Sequence, residues 1–190
     1  MRRLLPVLLV LLVLVPACDG DRPDVWEDDE RQAMEENEVR ALAAKLVCGE
    51  KAEDGDVEAE LDFEDLVHKL KLQGSEIEPV LIEILGATDS WGVRLGVVDV
   101  LTAIGTKACV DAMLGLLQDE HPKVAWEALG WLRVVLDHQE TPDKVEPDHP
   151  LPPLPSRYDD WPEYRRRFGA ALHQRWTKWW EANRDQTTVD

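Results

Sequence analysis

The sequence is poor in basic residues, in cysteine and in two of the three aromatic residues. Its 190 residues include 39 Asp and Glu but only 21 Lys and Arg, and the formal net charge is −18. Because so acidic a chain repels the phosphate backbone of nucleic acids, we expect no nucleic-acid binding. The three cysteines form no Cys-x-x-Cys motif and the histidines form no paired motif, so the sequence predicts neither a metal site nor a cofactor.

The familiar catalytic motifs are also missing. The chain has no glycine-rich phosphate loop, no Gly-x-Ser-x-Gly elbow and no serine–lysine motif. An acidic loop begins at Asp54, but Ala59 stands where a calcium-binding EF-hand needs glycine. The apolar faces of the predicted helices hold no titratable cluster of the kind that catalysis uses. We therefore expect a protein that is not an enzyme.

No segment shows sustained two-residue alternation, the pattern of a half-buried strand. Apolar residues recur instead at helical spacing in short segments, with glycines such as Gly74 and Gly105 as expected helix ends and an acidic break over residues 49–58. Asp89 or Ser90 is expected to cap one of these helices. The first segment carries an apolar stripe of Val39, Leu42, Ala43, Leu46 and Val47. The sequence predicts an all-α fold.

The only long apolar run, Leu4 to Val15, is too short to span a bilayer. It covers about a dozen residues, whereas a transmembrane helix needs ~20. Two arginines precede the run and the small residue Ala17 follows it, as in secretory signal peptides. The sequence therefore predicts a signal peptide over residues 1–17 and a mature protein outside the cytoplasm.

The end of this segment, Val15-Pro16-Ala17-Cys18, resembles the lipobox of bacterial lipoproteins. The resemblance implies that Cys18 becomes the mature N-terminus and carries fatty acids such as palmitate. This anchor would hold the protein at the inner or the outer membrane of a bacterial cell envelope. The acidic residues 18–34 have little apolar surface and are expected to form a flexible tether.

Two of the predicted helix pairs resemble each other at a spacing of about 31 residues. Residues 81–85 align with residues 113–117, and the helix that follows each stretch has a similar apolar stripe. A repeat of this length, built from two helices and a tight turn, is typical of a solenoid.

Residues 93–105 are similar to the second helix of the short bacterial HEAT-like repeat, through Val93-Arg94, Val97, Val100-Leu101 and Ile104-Gly105. Val97 and Val100 replace the usual alanines, which predicts looser or shifted helix packing. The resemblance covers residues 75–137 well and residues 35–74 only as helical pairing. It implies a short α-solenoid of HEAT-like helix pairs over residues 35–140.

The C-terminal part combines a proline-rich linker, residues 141–156, with a tryptophan-rich capping helix, residues 157–184, and a tail, residues 185–190. The chain has eight Trp but only two Tyr and two Phe. Three of the tryptophans share one face of the C-terminal helix, which favours packing over ligand binding; they are Trp176, Trp179 and Trp180. Trp91 and Trp126 lie outside the apolar stripes and are candidates for an interaction surface.

Cys48 and Cys109 remain once Cys18 is assigned to the anchor. In an oxidising compartment such a pair often forms a disulfide, so a Cys48–Cys109 bridge is one expectation. Two buried free thiols are the alternative.

These features favour a membrane-anchored, extracytoplasmic scaffold or adaptor that binds a protein partner whose identity the sequence does not specify. One alternative is a cell-wall or carbohydrate binder that uses exposed tryptophans. The other is the subunit of a lyase-type enzyme, because some HEAT-like proteins resemble chromophore lyases.

Overall fold

The computed structural model describes residues 34–136 and 151–187, all within the unit Gln32–Asp190. Several predicted features lie outside these residues: the signal peptide, Cys18 and its lipid, nearly all of the tether, the linker up to residue 150 and the last three residues of the tail.

The described residues are helical and contain no strand, which confirms the all-α prediction for them. Short 3-10 turns precede three of the α-helices. The α-helices are α1 (Glu36–Lys45), α2 (Cys48–Glu53), α3 (Val57–Lys71), α4 (Glu78–Ala87), α5 (Trp91–Ile104), α6 (Val110–Leu116), α7 (Pro122–Val135) and α8 (Trp161–Asn183).

The helix boundaries follow from local chemistry. The Asp56 side chain accepts a hydrogen bond from the Ala59 amide at the start of α3, and the Ser90 hydroxyl accepts one from the Val93 amide at the start of α5. Of the two expected caps of α5, Ser90 is therefore the one that is used. Gly74 has a φ of 72° shortly after α3, a backbone conformation that favours glycine.

The acidic break expected over residues 49–58 is shorter than predicted. Helix α2 occupies its first part, where Gly49 packs so tightly that an added Cβ would lie 2.8 Å from the Phe63 ring. The turn between α2 and α3 is reduced to residues 54–56, with Gly55 at a φ of 89°.

The helices pack in two recurring relationships. Consecutive helices pair, α4 with α5 and α6 with α7, while α5 lies between α3 and α7. Helix α1 packs on α3 and α4, and α8 packs on α6 and α7. The predicted apolar stripes supply a single buried cluster. It includes Val39, Leu70, Leu81, Val97, Val100, Leu101, Met113, Val124 and Leu132.

Helix α5 approaches the segment around α2 closely. Val97 and Val100 of α5 are fully buried. The small residues that allow close approach are Gly92 and Gly96 of α5, where an added Cβ would lie 2.7 Å from Glu50 Cγ and 2.8 Å from Leu46 Cδ1. Helix α5 therefore meets the segment around α2 through Gly92 and Gly96, which directly precede the buried residues Val93 and Val97.

A buried ion pair joins α5 to the turn after α6. Arg94 donates from Nε to Asp119 Oδ2 at 2.6 Å, from Nη2 to Asp119 Oδ1 at 3.0 Å and from Nη1 to the Thr88 carbonyl at 3.2 Å. The two charged side chains are 8% and 5% exposed. This bidentate pair links consecutive helix pairs, and it uses the arginine of the Val-Arg motif.

Helix α8 is fastened by its tryptophans. Trp161, Trp176 and Trp180 are buried, and Trp179 is half-buried. The Trp161 indole donates to the Pro122 carbonyl at 2.8 Å, and the Trp180 indole donates to Asp111 Oδ1 at 2.7 Å. The tryptophan face of α8 therefore packs against the rest of the described protein.

Candidate interaction surface

A groove of about 290 Å³ lies between α3, α5 and α7. We call it the α3–α5–α7 groove. Its lining residues are Phe63, Leu95, Asp99, Thr102, Lys123 and Glu127.

Helical spacing explains why these side chains meet. On α5, Leu95, Asp99 and Thr102 stand at i, i+4 and i+7, which places them along one edge of the helix. On α7, Lys123 and Glu127 stand at i and i+4. Because α5 packs beside both α3 and α7, its edge forms the middle of the groove.

The groove has an apolar part and a charged part. Leu95 is 8% exposed and Phe63 is half-buried, so both present only a limited apolar surface. Lys71 Nζ contacts Asp99 Oδ1 at 2.9 Å. Burial, followed by the nearby charge of Asp99, raises the pKa of Glu127, and the charge of Lys123 opposes this rise. The groove therefore disfavours the ionised form of one of its own carboxyls.

The α7 edge of the groove continues past Glu127. Val134 lies seven positions further along the helix, on the same edge, and is 80% exposed. Gly130 lies between them, and a Cβ added there would meet no heavy atom within 4 Å. An accessible, partly apolar ridge therefore extends from the groove.

The two predicted surface tryptophans do not line this groove. Trp91 stacks on His121 with ring centroids 4.0 Å apart and 7° between the planes, and His121 Nε2 lies 3.7 Å from Glu53 Oε2. Both rings are half-buried. Trp91 therefore packs against another residue of the same chain.

Trp126 is also half-buried and packs against residues that precede or begin α8. Its ring lies 6.1 Å from that of Tyr158 and 5.6 Å from that of Trp161. It therefore helps to attach α8 to α7, and only part of its indole is accessible to a partner.

Of the two alternatives for Cys48 and Cys109, the structure has both cysteines free, with Cys109 buried and Cys48 half-buried. Cys48 begins α2, and α2 approaches Gly92 in the first turn of α5. Cys109 lies at the other end of α5, where its Sγ would be 2.6 Å from a Cβ added to Gly105. The helical rise from Gly92 to Gly105 is about 20 Å. A disulfide needs Cα atoms within about 7 Å, so α5 separates the two thiols too far.

We expect the two thiols to differ in reactivity. Burial, and then the charge of Glu78, raises the pKa of Cys109 to about 12, so almost none of it is thiolate at pH 8. Iodoacetamide should alkylate the half-buried Cys48 more than tenfold faster than Cys109 in the native protein, as measured by mass spectrometry of the two peptides.

Unfolding the protein in urea is the control, since both cysteines should then react at similar rates. Equal rates in the native protein, or a linked Cys48–Cys109 peptide, would contradict the described packing.

No group of three or more His, Cys, Asp or Glu side chains among the described residues is arranged to hold a metal ion. No family model, curated protein or solved structure matches the chain. The residues of the groove were not among the sequence candidates. The sequence indicates the groove only through the i, i+4, i+7 spacing of Leu95, Asp99 and Thr102 on α5.

Proposed function

We propose that this protein is a membrane-anchored, extracytoplasmic lipoprotein whose HEAT-like helix pairs form a short α-solenoid that binds a protein partner. The observation that carries this proposal is the α3–α5–α7 groove, which three helices build together and which continues along an exposed ridge of α7. Stacked helix pairs characteristically present such surfaces to partners.

The repeated packing supports the solenoid part of the proposal. Each helix pair contributes its second helix to the row of α3, α5 and α7, and the Arg94–Asp119 pair ties one repeat to the turn that leads into the next. Helix α8 covers the last pair, as the terminal caps of repeat proteins do.

The membrane anchor rests on the resemblance of residues 15–18 to a lipobox. Within residues 34–136 and 151–187, no helix combines the length and the apolar character needed to cross a bilayer. A lipid on Cys18 would confine the groove to one membrane surface and raise the effective concentration of a partner there.

The packing of the tryptophans weighs against the carbohydrate-binding alternative. Trp91 is stacked on His121, Trp126 lies against Tyr158 and Trp161, and both are half-buried, so each offers a sugar ring only part of its indole. No observation on the described residues favours the enzyme-subunit alternative.

A photo-crosslinking experiment in intact cell envelopes tests the proposal. Benzoylphenylalanine in place of Thr102, inside the groove, should give a discrete adduct with one partner protein. The same residue in place of Glu83, which is exposed on α4 outside the groove, should not. The Cys18→Ser form should be released from the membrane and lose the adduct.

Two outcomes would overturn the proposal. One is the absence of an adduct at position 102, and the other is an equal yield of the same adduct at positions 102 and 83. Retention of the Cys18→Ser form on the membrane would separately refute the lipid anchor.

A further inference from the structure

The α3–α5–α7 groove places carboxylates from two neighbouring helices beside an apolar surface. Asp99 projects from α5 and Glu127 from α7, and they are close enough for the charge of Asp99 to raise the pKa of Glu127. Leu95 and Phe63 supply the apolar part. An occupant that suits both parts has an aliphatic stem and a positively charged end.

We infer that the groove binds a lysine or arginine side chain of the partner protein, with its stem on Leu95 and Phe63 and its cation between Asp99 and Glu127. This inference rests on the proposed function, because it names the chemistry by which that partner is recognised. Such a contact is a charge-assisted hydrogen bond, which is stronger than one between neutral groups.

Both carboxylates keep capacity for a further cation. Lys71 contacts Oδ1 of Asp99, and Oδ2 accepts no hydrogen bond from any described residue. Glu127 has neither an ion pair nor a hydrogen bond with a described residue. Lys123 also lines the groove, and its charge opposes the effect of burial and of Asp99 on the pKa of Glu127.

The charge of the whole chain favours the same kind of occupant. A formal net charge of −18 attracts a basic partner over distances longer than any single contact and repels an acidic one. The long-range field of the chain therefore favours the same sign of charge as the carboxylates Asp99 and Glu127 do.

The experiment uses the full, ¹⁵N-labelled chain in detergent and two peptides that differ by one ammonium group. The probes are acetyl-Ala-Leu-Lys-Leu-Ala-amide and the matched peptide with norleucine in place of lysine. The lysine peptide should shift the backbone amide signals of the groove residues and bind about five- to tenfold more tightly than the norleucine peptide.

Two single substitutions with the same change in charge separate a local contact from general attraction. Glu127→Gln should weaken binding of the lysine peptide about five- to tenfold, whereas Glu83→Gln, on an exposed residue outside the groove, should leave it unchanged. Glu127→Gln should also unfold at the same or a higher temperature at pH 7, since it removes a disfavoured charge.

The inference is overturned if the two peptides bind equally, if the shifted signals lie outside the groove, or if both substitutions weaken binding equally. A groove adduct from position 102 together with equal peptide binding would leave the proposed function standing and refute only the recognition of a cation. Loss of the adduct would refute the proposed function itself.

Discussion

Replacement of Arg94 by methionine lowers the free energy of unfolding by about 3–5 kcal/mol, because it leaves a buried carboxylate without its partner. The Asp119 side chain is only 5% exposed and receives two hydrogen bonds from the Arg94 guanidinium. The Thr88 carbonyl loses its donor in the same variant. Urea denaturation followed by circular dichroism measures the change.

Two further variants identify the cause. Arg94→Met combined with Asp119→Asn removes both charges and keeps an acceptor for the His121 amide, which donates to Asp119 Oδ1, so it should recover part of the lost stability. Arg166→Met, which breaks an exposed pair with Glu163, should change stability by less than about 1 kcal/mol. If Arg94→Met and Arg166→Met have the same small effect, the Arg94–Asp119 pair does not hold α5 to the turn after α6.

We expect Trp161→Ala to lower the free energy of unfolding by about 3–5 kcal/mol. Trp161 is fully buried at the start of α8, contacts the rings of Trp126 and Tyr164, and donates to the Pro122 carbonyl. Removal of its side chain leaves a cavity between α7 and α8. Thermal and urea unfolding both report the loss.

Trp161→Phe is the matched control because it retains an aromatic ring and removes the indole donor. It should be clearly less destabilising than Trp161→Ala, with a loss of about 1–3 kcal/mol from the unpaired Pro122 carbonyl and the smaller ring. If the alanine variant is as stable as the original chain, α8 does not depend on this anchor.

The sequence predicts most of the helices because their apolar stripes are regular. Val93, Val97, Val100 and Leu101 are each buried on α5, as the stripe indicates. Helix α2 was missed, since its six residues carry no apolar period and its sequence is mostly small or charged. Its placement depends on contacts with the distant Phe63 and Gly92.

The candidate site was much less predictable than the fold. The groove residues belong to three separate helices, with Phe63 on α3, Asp99 on α5 and Glu127 on α7. No local sequence pattern predicts that these helices pack side by side. The choice between a Cys48–Cys109 bridge and two free thiols stayed open for a related reason, since the number of cysteines carries no information on the length of α5. In both cases the decisive quantity is a distance between elements.

The position of α8 has a consequence for truncation of the chain. Helix α8 packs on α6 and α7, and its residues Trp161, Trp176 and Trp180 are buried. A chain that ends before α8 would therefore expose apolar surface on α6 and α7 that the intact protein covers, and such exposed patches favour aggregation.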